Sequence, residues 1–377
     1  MSINYNKHYI DKKDIKAVTR ALKSNFITQG THVLKFEERL KDYFKANYCT
    51  VVSNGTAALY IVLNALNLKK GDIICSSAIT FFAGASAAKH NNLKNHFIDI
   101  DPKTLNLDID KLENFLKKTK KVKAVIATDY AGQCCDWKRL KRLSKKYKFY
   151  LINDNCHAIG SKYYGDIGYA SKYADFVIHS YHAVKNITTG EGGSILFNDR
   201  KYYKKIVSLR NHGLIKKKNN YNPNWPYSLD NLSFNFRITD FQCALGITQL
   251  QKLKKFVLRR RKIAQFYYKG LSGIKNIELP EVNKNIYNSY HLYPVRINFK
   301  KTRINKINLL KKMSAFGINL QVHYYPVYKH KIYQLSKKTF LYNAENFFKE
   351  TVSLPIYFSL KNSEIKKIIS LLKKLVN

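Results

Sequence analysis

The sequence predicts an α/β fold: one large, mostly parallel sheet with helices on both faces, followed by a smaller C-terminal α/β lobe. Three observations lead there. Short apolar runs near residues 49–52, 71–74, 95–101, 122–130, 149–152 and 176–178 alternate with stretches of helical periodicity, as repeated β-α-β units do. The run at 49–52 meets Ser53-Asn54-Gly55-Thr56 and then a helical pattern through Leu59, Leu63 and Leu66. A long basic helix, residues 249–269, then precedes a second, shorter alternation. The predicted division is a large domain over 1–248 and a linker helix with a small domain over 249–377.

Taken in order, an acid-and-lysine helix over 11–24 follows Tyr5, and Gly30 reads as the glycine closing it. Residues 33–43 form a second amphipathic helix. The strand, glycine turn and helix start at 49–59 make a phosphate site, because free N–H groups and the positive helix end face an anion. Thr80-Phe81-Phe82-Ala83 follows the next strand, and a helix over 107–117 leads to the strand ending in Asp129-Tyr130-Ala131-Gly132. Residues 210–232, with Pro223, Trp225 and Pro226, lack regular pattern, as functional loops often do. A helix capped by Thr239 or Asp240 comes next. The small lobe is expected to hold strands near 293–297 and 319–323 and helices from Lys301, Asn343 and Ser363.

Composition narrows the function classes. Of 377 residues, 45% are hydrophobic and 14% aromatic, which excludes a disordered chain. Lys and Arg total 67 against 25 Asp and Glu, a formal charge of +42. The lysines are scattered, and the basic runs at 117–123, 138–148 and 252–262 carry apolar residues at helical spacing. They read as solvated helix faces rather than a specific nucleic-acid surface, though the charge would attract a small anionic ligand. Six cysteines show no C-x-x-C spacing and read as buried thiols of a reducing cytoplasm. No run reaches membrane-spanning length.

The chemistry concentrates in two stretches. Phe176-Val177-Ile178 leads through small and hydroxylated residues to Lys185, then to Thr188-Thr189-Gly190-Glu191-Gly192-Gly193 and a second apolar run. Thirty-one positions upstream, the strand at 149–152 runs into Asp154. Carboxylates at the C-terminal ends of such strands lie where open α/β sheets gather ligand groups. A lysine able to form a Schiff base and an aspartate able to keep a pyridine nitrogen protonated are what a pyridoxal phosphate enzyme requires. Taken alone, Lys185 reads as a solvated loop lysine and Asp154 equally as a helix N-cap.

Four stretches together, SYHAVKNITTGEGG (180–193), INDNCHAIG (152–160), SNGTAAL (53–59) and FNFRITDFQCALG (234–246), resemble the DegT-type nucleotide-sugar aminotransferases. The resemblance runs from about Tyr5 to about residue 360. It implies the aspartate-aminotransferase-like fold of pyridoxal phosphate enzymes (fold type I), with Lys185 and Asp154 catalytic. It further implies that Gly55, Thr56, Phe81, Asp154, His157, Ser180 and Lys185 bind the cofactor. Asn235 would cross to the partner subunit's cofactor phosphate, making the enzyme a homodimer with shared sites. Tyr5, Asn25, Phe26, Ile27, Thr28, Gln321, Val322, His323 and Tyr324 would approach the substrate.

Within the family, ATDYAG, LRNHGLIKK and LQVHYYPVYKHKIYQ favour the pseudaminic acid branch, as does Tyr328 where many relatives carry histidine. That branch moves an amino group from L-glutamate to C4 of a UDP-linked 4-keto-6-deoxy-N-acetylhexosamine of L-altrose type, toward flagellin or polysaccharide glycans. Asn54-Gly55 departs mildly from the usual Ser-Ala or Ser-Gly, and Tyr181 replaces the usual Phe. Two other readings stand beside this one: the same chemistry on a bacillosamine, legionaminic or C3-keto sugar, and a non-catalytic basic binding protein retaining the fold. No metal ligands are expected.

Overall fold

The structure, a computed structural model, describes residues 2–216, 227–333 and 340–376. Its frame is a seven-stranded sheet of β1 (Tyr48–Val52), β2 (Ile73–Ser77), β3 (Lys94–Ile98), β4 (Val122–Thr128), β5 (Tyr150–Asp154), β6 (Phe176–Ser180) and β7 (Gly193–Phe197). The spatial order is β1-β7-β6-β5-β4-β2-β3. Only β7 runs against its neighbours, β1 and β6. The other pairings are parallel, so six strands deliver their C-terminal ends to one edge.

Two-residue alternation sorts the faces. Val51, Leu151, Val177 and Leu196 enter one core with Phe36, Leu40, Trp137 and Leu140. Val52, Ile152, Ile178 and Ile195 enter the other with Leu59, Val62, Ile206 and Leu209. The helices in chain order are α1 (Lys12–Leu22), α2 (Thr31–Tyr43), α3 (Gly55–Ala65), α4 (Ala83–His90), α5 (Ile109–Lys118), α6 (Trp137–Tyr147), α7 (Tyr169–Tyr173), α8 (Tyr203–Arg210) and α9 (Asp240–Leu271). Helices α2, α5 and α6 cover the first face; α3, α4 and α8 cover the second.

Helix α9 is one continuous element of 32 residues, joining the short capped helix and the linker helix that the sequence suggested as two. Thr239 caps it, with Gln242 completing a capping box. Leu250, Leu253 and Val257 pack on the large core, whereas Ile263, Tyr267 and Leu271 pack on the small one. The division expected at 248/249 therefore lies inside a helix shared by both lobes. The small lobe holds β8 (Ile277–Glu278), β9 (Tyr293–Ile297) and β10 (Thr351–Leu354), all antiparallel. With them pack α10 (Lys306–Ala315), α11 (Tyr342–Glu350) and α12 (Asn362–Val376).

Some expectations need correction. Residues 319–323 form no strand; Gln321 makes a single bridge to Ser353, and Ile318, just before them, makes one to Ile3. Gly30 opens α2 rather than closing α1, because its N–H donates to the buried Asp240 carboxylate (2.6 Å). No helix follows Asp154, so it is not an N-cap: residues 155–160 are turns. The helix expected from Lys301 begins at Lys306, where Asn305 supplies the cap. Pro223, Trp225 and Pro226 lie outside the described residues.

The lobes are joined by specific polar contacts. Asp99, just beyond β3, accepts the Ala344 N–H at 2.8 Å and the Asn343 N–H at 3.1 Å, capping α11 from the other lobe. Tyr130 donates its hydroxyl to the His323 carbonyl.

Candidate active site

The C-terminal edge of the parallel strands borders a cavity of about 780 Å³, where open α/β sheets place ligands. It is lined by Gly55 and Thr56 after β1, Asp154 and His157 after β5, Ser180 and Lys185 after β6, and Phe81 before α4. Tyr5, His323 and Tyr324 close it from the small-lobe side. The fold thus brings together ten residues that lie up to 319 positions apart in the chain (Tyr5 to Tyr324).

Lys185 sits on a loop held by its own backbone. Its N–H donates to the His182 carbonyl (2.9 Å), and Thr189 N–H returns to the Tyr181 carbonyl (2.9 Å). Its ammonium has no hydrogen-bond or ion-pair partner among the described residues. Burial lowers its pKa, opposed by Cys156 and Asp154. Asp154 is 7% exposed and makes no ion pair among the described residues. Among the described residues its carboxylate accepts only the Cys156 N–H (3.2 Å) and a long bond from the Thr128 hydroxyl (3.4 Å). A buried carboxylate this weakly satisfied calls for a cation, and a protonated ring nitrogen supplies one.

The helix start supplies the anion site. Asn54 caps α3 by accepting the Ala57 N–H (2.8 Å), and the N–H groups of Gly55 and Thr56 have no intrahelical acceptor. A Cβ on Gly55 would lie 3.1 Å from Ser180 Cβ and 3.4 Å from Cys156 Sγ, so any side chain there would fill the cradle. Among the described residues the Ser180 hydroxyl oxygen accepts only the His182 N–H, at 3.4 Å, which leaves its proton to give. A phosphate, a cationic ring and an amine-reactive carbonyl are what these three positions fit.

His157 is buried among polar partners. Its Nε2 lies 2.9 Å from the Tyr324 hydroxyl, and its Nδ1 accepts the Ala131 N–H at 3.5 Å. Burial, then the Lys185 charge, hold its pKa well below the usual histidine value. With Nδ1 accepting, the neutral ring carries its proton on Nε2 and donates to Tyr324. His323 shares Nδ1 with the Ser353 hydroxyl at 2.9 Å, and burial pushes its pKa down to about 4. Tyr324 stays protonated, its pKa raised by burial.

Other expected residues lie elsewhere. Asn25, Phe26, Ile27 and Thr28 are exposed on the segment that Asp240 pins, outside this chain's cavity. Asn235 is exposed and accepts the Arg237 N–H, while its neighbours Phe234 and Phe236 line the cavity. Gln321 and Val322 also stay outside it. Of the two phenylalanines, Phe81 borders the cavity and Phe82 does not, and neither is core.

Sequence reasoning did not single out Tyr60, His90 and His291, which all line the cavity. They sit on α3, on α4 and just before β9, and no local motif announces them. His182 and Glu191 stand at 3.8 Å, both exposed. Among the described residues, no group of side chains is arranged to hold a metal. Among the described residues, no helix is long and apolar enough to cross a membrane either.

Comparison with known proteins identifies the family. The model of the DegT/DnrJ/EryC1/StrS aminotransferase family matches residues 8–373. A Campylobacter jejuni protein named UDP-4-amino-4,6-dideoxy-N-acetyl-beta-L-altrosamine transaminase is 35% identical over 378 residues, covering 99% of this chain and 98% of the relative. Among solved structures, Helicobacter pylori PseC is described as an aminotransferase involved in the biosynthesis of pseudoaminic acid. It superposes with a TM-score of 0.91 at 29% identity, over 100% of this chain and 99% of its own. The PLP-form of the Streptococcus pneumoniae putative sugar aminotransferase Spr1654 gives a TM-score of 0.91 at 28% identity, over 100% and 98%.

Proposed function

We propose, for a chain that belongs to the DegT/DnrJ/EryC1/StrS aminotransferase family and is a pyridoxal-phosphate-dependent sugar aminotransferase, that it aminates C4 of a UDP-linked 4-keto-6-deoxy-N-acetylhexosamine of L-altrose type. L-Glutamate is the donor in this reading, and the product feeds pseudaminic acid for surface glycans such as flagellin's. The carrying observation is Lys185, with its unpaired amine beside an unpaired buried Asp154 and the open start of α3 in one cavity. The Campylobacter and Helicobacter relatives support the choice of sugar by their names.

Each side chain then has a role. The N–H groups of Gly55 and Thr56 and the Ser180 hydroxyl would hold the phosphate, Asp154 would keep the ring nitrogen protonated, and Phe81 would offer the ring an aromatic wall. His157 stands beside the ring's phenolic oxygen in this reading, its own proton held by the Tyr324 hydroxyl. When bound, pyridoxal phosphate supplies an aldehyde that takes up amines and a cationic ring that withdraws electrons from the neighbouring carbon. Lys185 Nζ anchors the cofactor; once displaced, it takes the proton from Cα of the donor and returns one to C4 of the sugar. Burial suits it to this, since a lowered pKa leaves more of the amine unprotonated. Tyr5, His323 and Tyr324 face the sugar.

In this reading the unit is a homodimer working in the cytoplasm. Asn235 points out of its own cavity, and the surface carries Phe26 (66% exposed) and Phe234 (61% exposed), an apolar display suited to a partner subunit. Residues 25–28 and 321–322 would then complete the sugar site in the assembled enzyme.

The test is 2-oxoglutarate release from L-glutamate that depends on the UDP-4-ketosugar, run beside its GDP-linked counterpart. Release with the UDP sugar alone supports the reading. Release with the GDP sugar alone rejects it.

A further inference from the structure

The amino donor differs from the sugar in one way that matters inside this cavity: it carries a carboxylate on the very carbon whose proton Lys185 removes. That anion has to lie beside Lys185 Nζ. No arginine lines the cavity among the described residues. Of the groups near Lys185, Asp154 repels a carboxylate and the Cys156 thiol is a weak donor. His157 commits both ring nitrogens, to Tyr324 and Ala131. His323 commits one, to Ser353.

His291 is different. It is 2% exposed, borders the cavity, and packs its ring 4.6 Å from that of His157. Its Nδ1 is buried without a hydrogen-bond partner, and Nε2 has none among the described residues. Buried polar atoms are rarely left so, because each unmet one is costly. Behind it lies Arg260, 3% exposed, which donates to the carbonyls of His291 (3.2 Å), Tyr290 (3.2 Å) and Ile356 (2.7 Å). No carboxylate pairs with this guanidinium among the described residues, so its charge stays uncompensated and makes the wall behind His291 positive.

We propose that His291 receives the α-carboxylate of the amino donor, with the buried Arg260 charge behind it attracting the anion. This rests on the aminotransferase reading of the Lys185 cavity. The neutral imidazole donates through one nitrogen to a carboxylate oxygen, and the free nitrogen of His323 is placed to help. The sugar carries hydroxyl and acetamido groups around its reacting carbon and makes no such demand. The effect of losing His291 is therefore confined to one half-reaction.

The experiment compares wild type, His291→Phe and His291→Asn as loaded enzymes, with the two halves followed separately. One half is 2-oxoglutarate release from L-glutamate; the other is amination of the UDP-4-ketosugar by enzyme loaded with pyridoxamine phosphate. His291→Phe is expected to weaken glutamate binding about tenfold or more and leave the sugar half within about twofold. His291→Asn, which keeps a donor, recovers part of the loss. Calorimetric titration with glutarate, which binds without reacting, should show the same ranking. Unchanged glutamate and glutarate affinity in His291→Phe overturns the proposal, as does an equal loss in both halves. If wild type releases no 2-oxoglutarate at all, the choice of donor fails first and the proposal with it, before any variant is made.

Discussion

Tyr324 of the small-lobe side and His157 of the large lobe meet through a 2.9 Å bond between the phenol oxygen and Nε2. Ala131 N–H fixes the histidine tautomer from the other side, so the imidazole donates to the phenol. The hydroxyl proton of Tyr324 is therefore free to point at whatever occupies the cavity, beside Lys185.

Tyr324→Phe tests that relationship. Removing one donor aimed at the reacting oxygen is expected to slow sugar amination about tenfold, the scale of a single buried hydrogen bond. Single-turnover rates with pyridoxamine-loaded enzyme would show it. A rate equal to wild type means the hydroxyl faces no reacting group.

Lys185→Ala is expected to fold normally and to turn over nothing. Borohydride, which fixes the cofactor to wild-type Lys185, should leave the variant unlabelled in peptide mass mapping. Asp154→Asn is expected to lower kcat by about 10²- to 10⁴-fold, the range of a lost proton-handling group. Persistent turnover by Lys185→Ala would remove that residue from the chemistry.

Much of this site was legible in the chain. Lys185, Asp154 and Gly55 each follow a recognisable apolar strand, and strand ends of a parallel sheet converge on one edge, so local pattern carried positional information. His291 and Tyr60 were not legible because nothing local marks them; only lobe closure and the α3–α4 pairing bring them to the cavity. Helix α9 was read as two pieces because it serves two cores, with Leu250, Leu253 and Val257 in one and Ile263, Tyr267 and Leu271 in the other. Residues 319–323 have strand-like composition, yet His323 and Tyr324 turn toward the cavity instead of continuing a ladder.

Asp99→Ala probes the lobe joint. The substitution strips α11 of the carboxylate that accepts its two N–H groups and leaves Lys111 without its 2.7 Å partner. A loss of about 2–3 kcal/mol is expected, read as a lower urea midpoint. An unchanged midpoint would mean that α11 does not rely on this cap.

Acid should weaken the fold through His323. The unfolded chain takes up this proton near the ordinary value of about 6.5, whereas the folded chain does so only at about 4. The unfolded state therefore binds more protons in that window, and stability falls as pH drops from about 6.5 to about 4. His323→Gln should reduce the slope of stability against pH there by about one proton. Parallel slopes for variant and wild type would contradict the assignment.

With a formal charge of +42, KM for the diphosphate sugar is expected to rise several-fold between low and high salt, while kcat changes little. A salt-independent KM would mean that the surface charge does not steer the substrate.

The most direct measurement is mass spectrometry of the enzyme incubated with L-glutamate and the UDP-4-keto-6-deoxy sugar of L-altrose type, run beside its D-configured epimer. Conversion to the 4-amino sugar is expected with the L-configured substrate alone. Conversion of the D-configured substrate alone would contradict it and assign the enzyme to the bacillosamine or legionaminic branch.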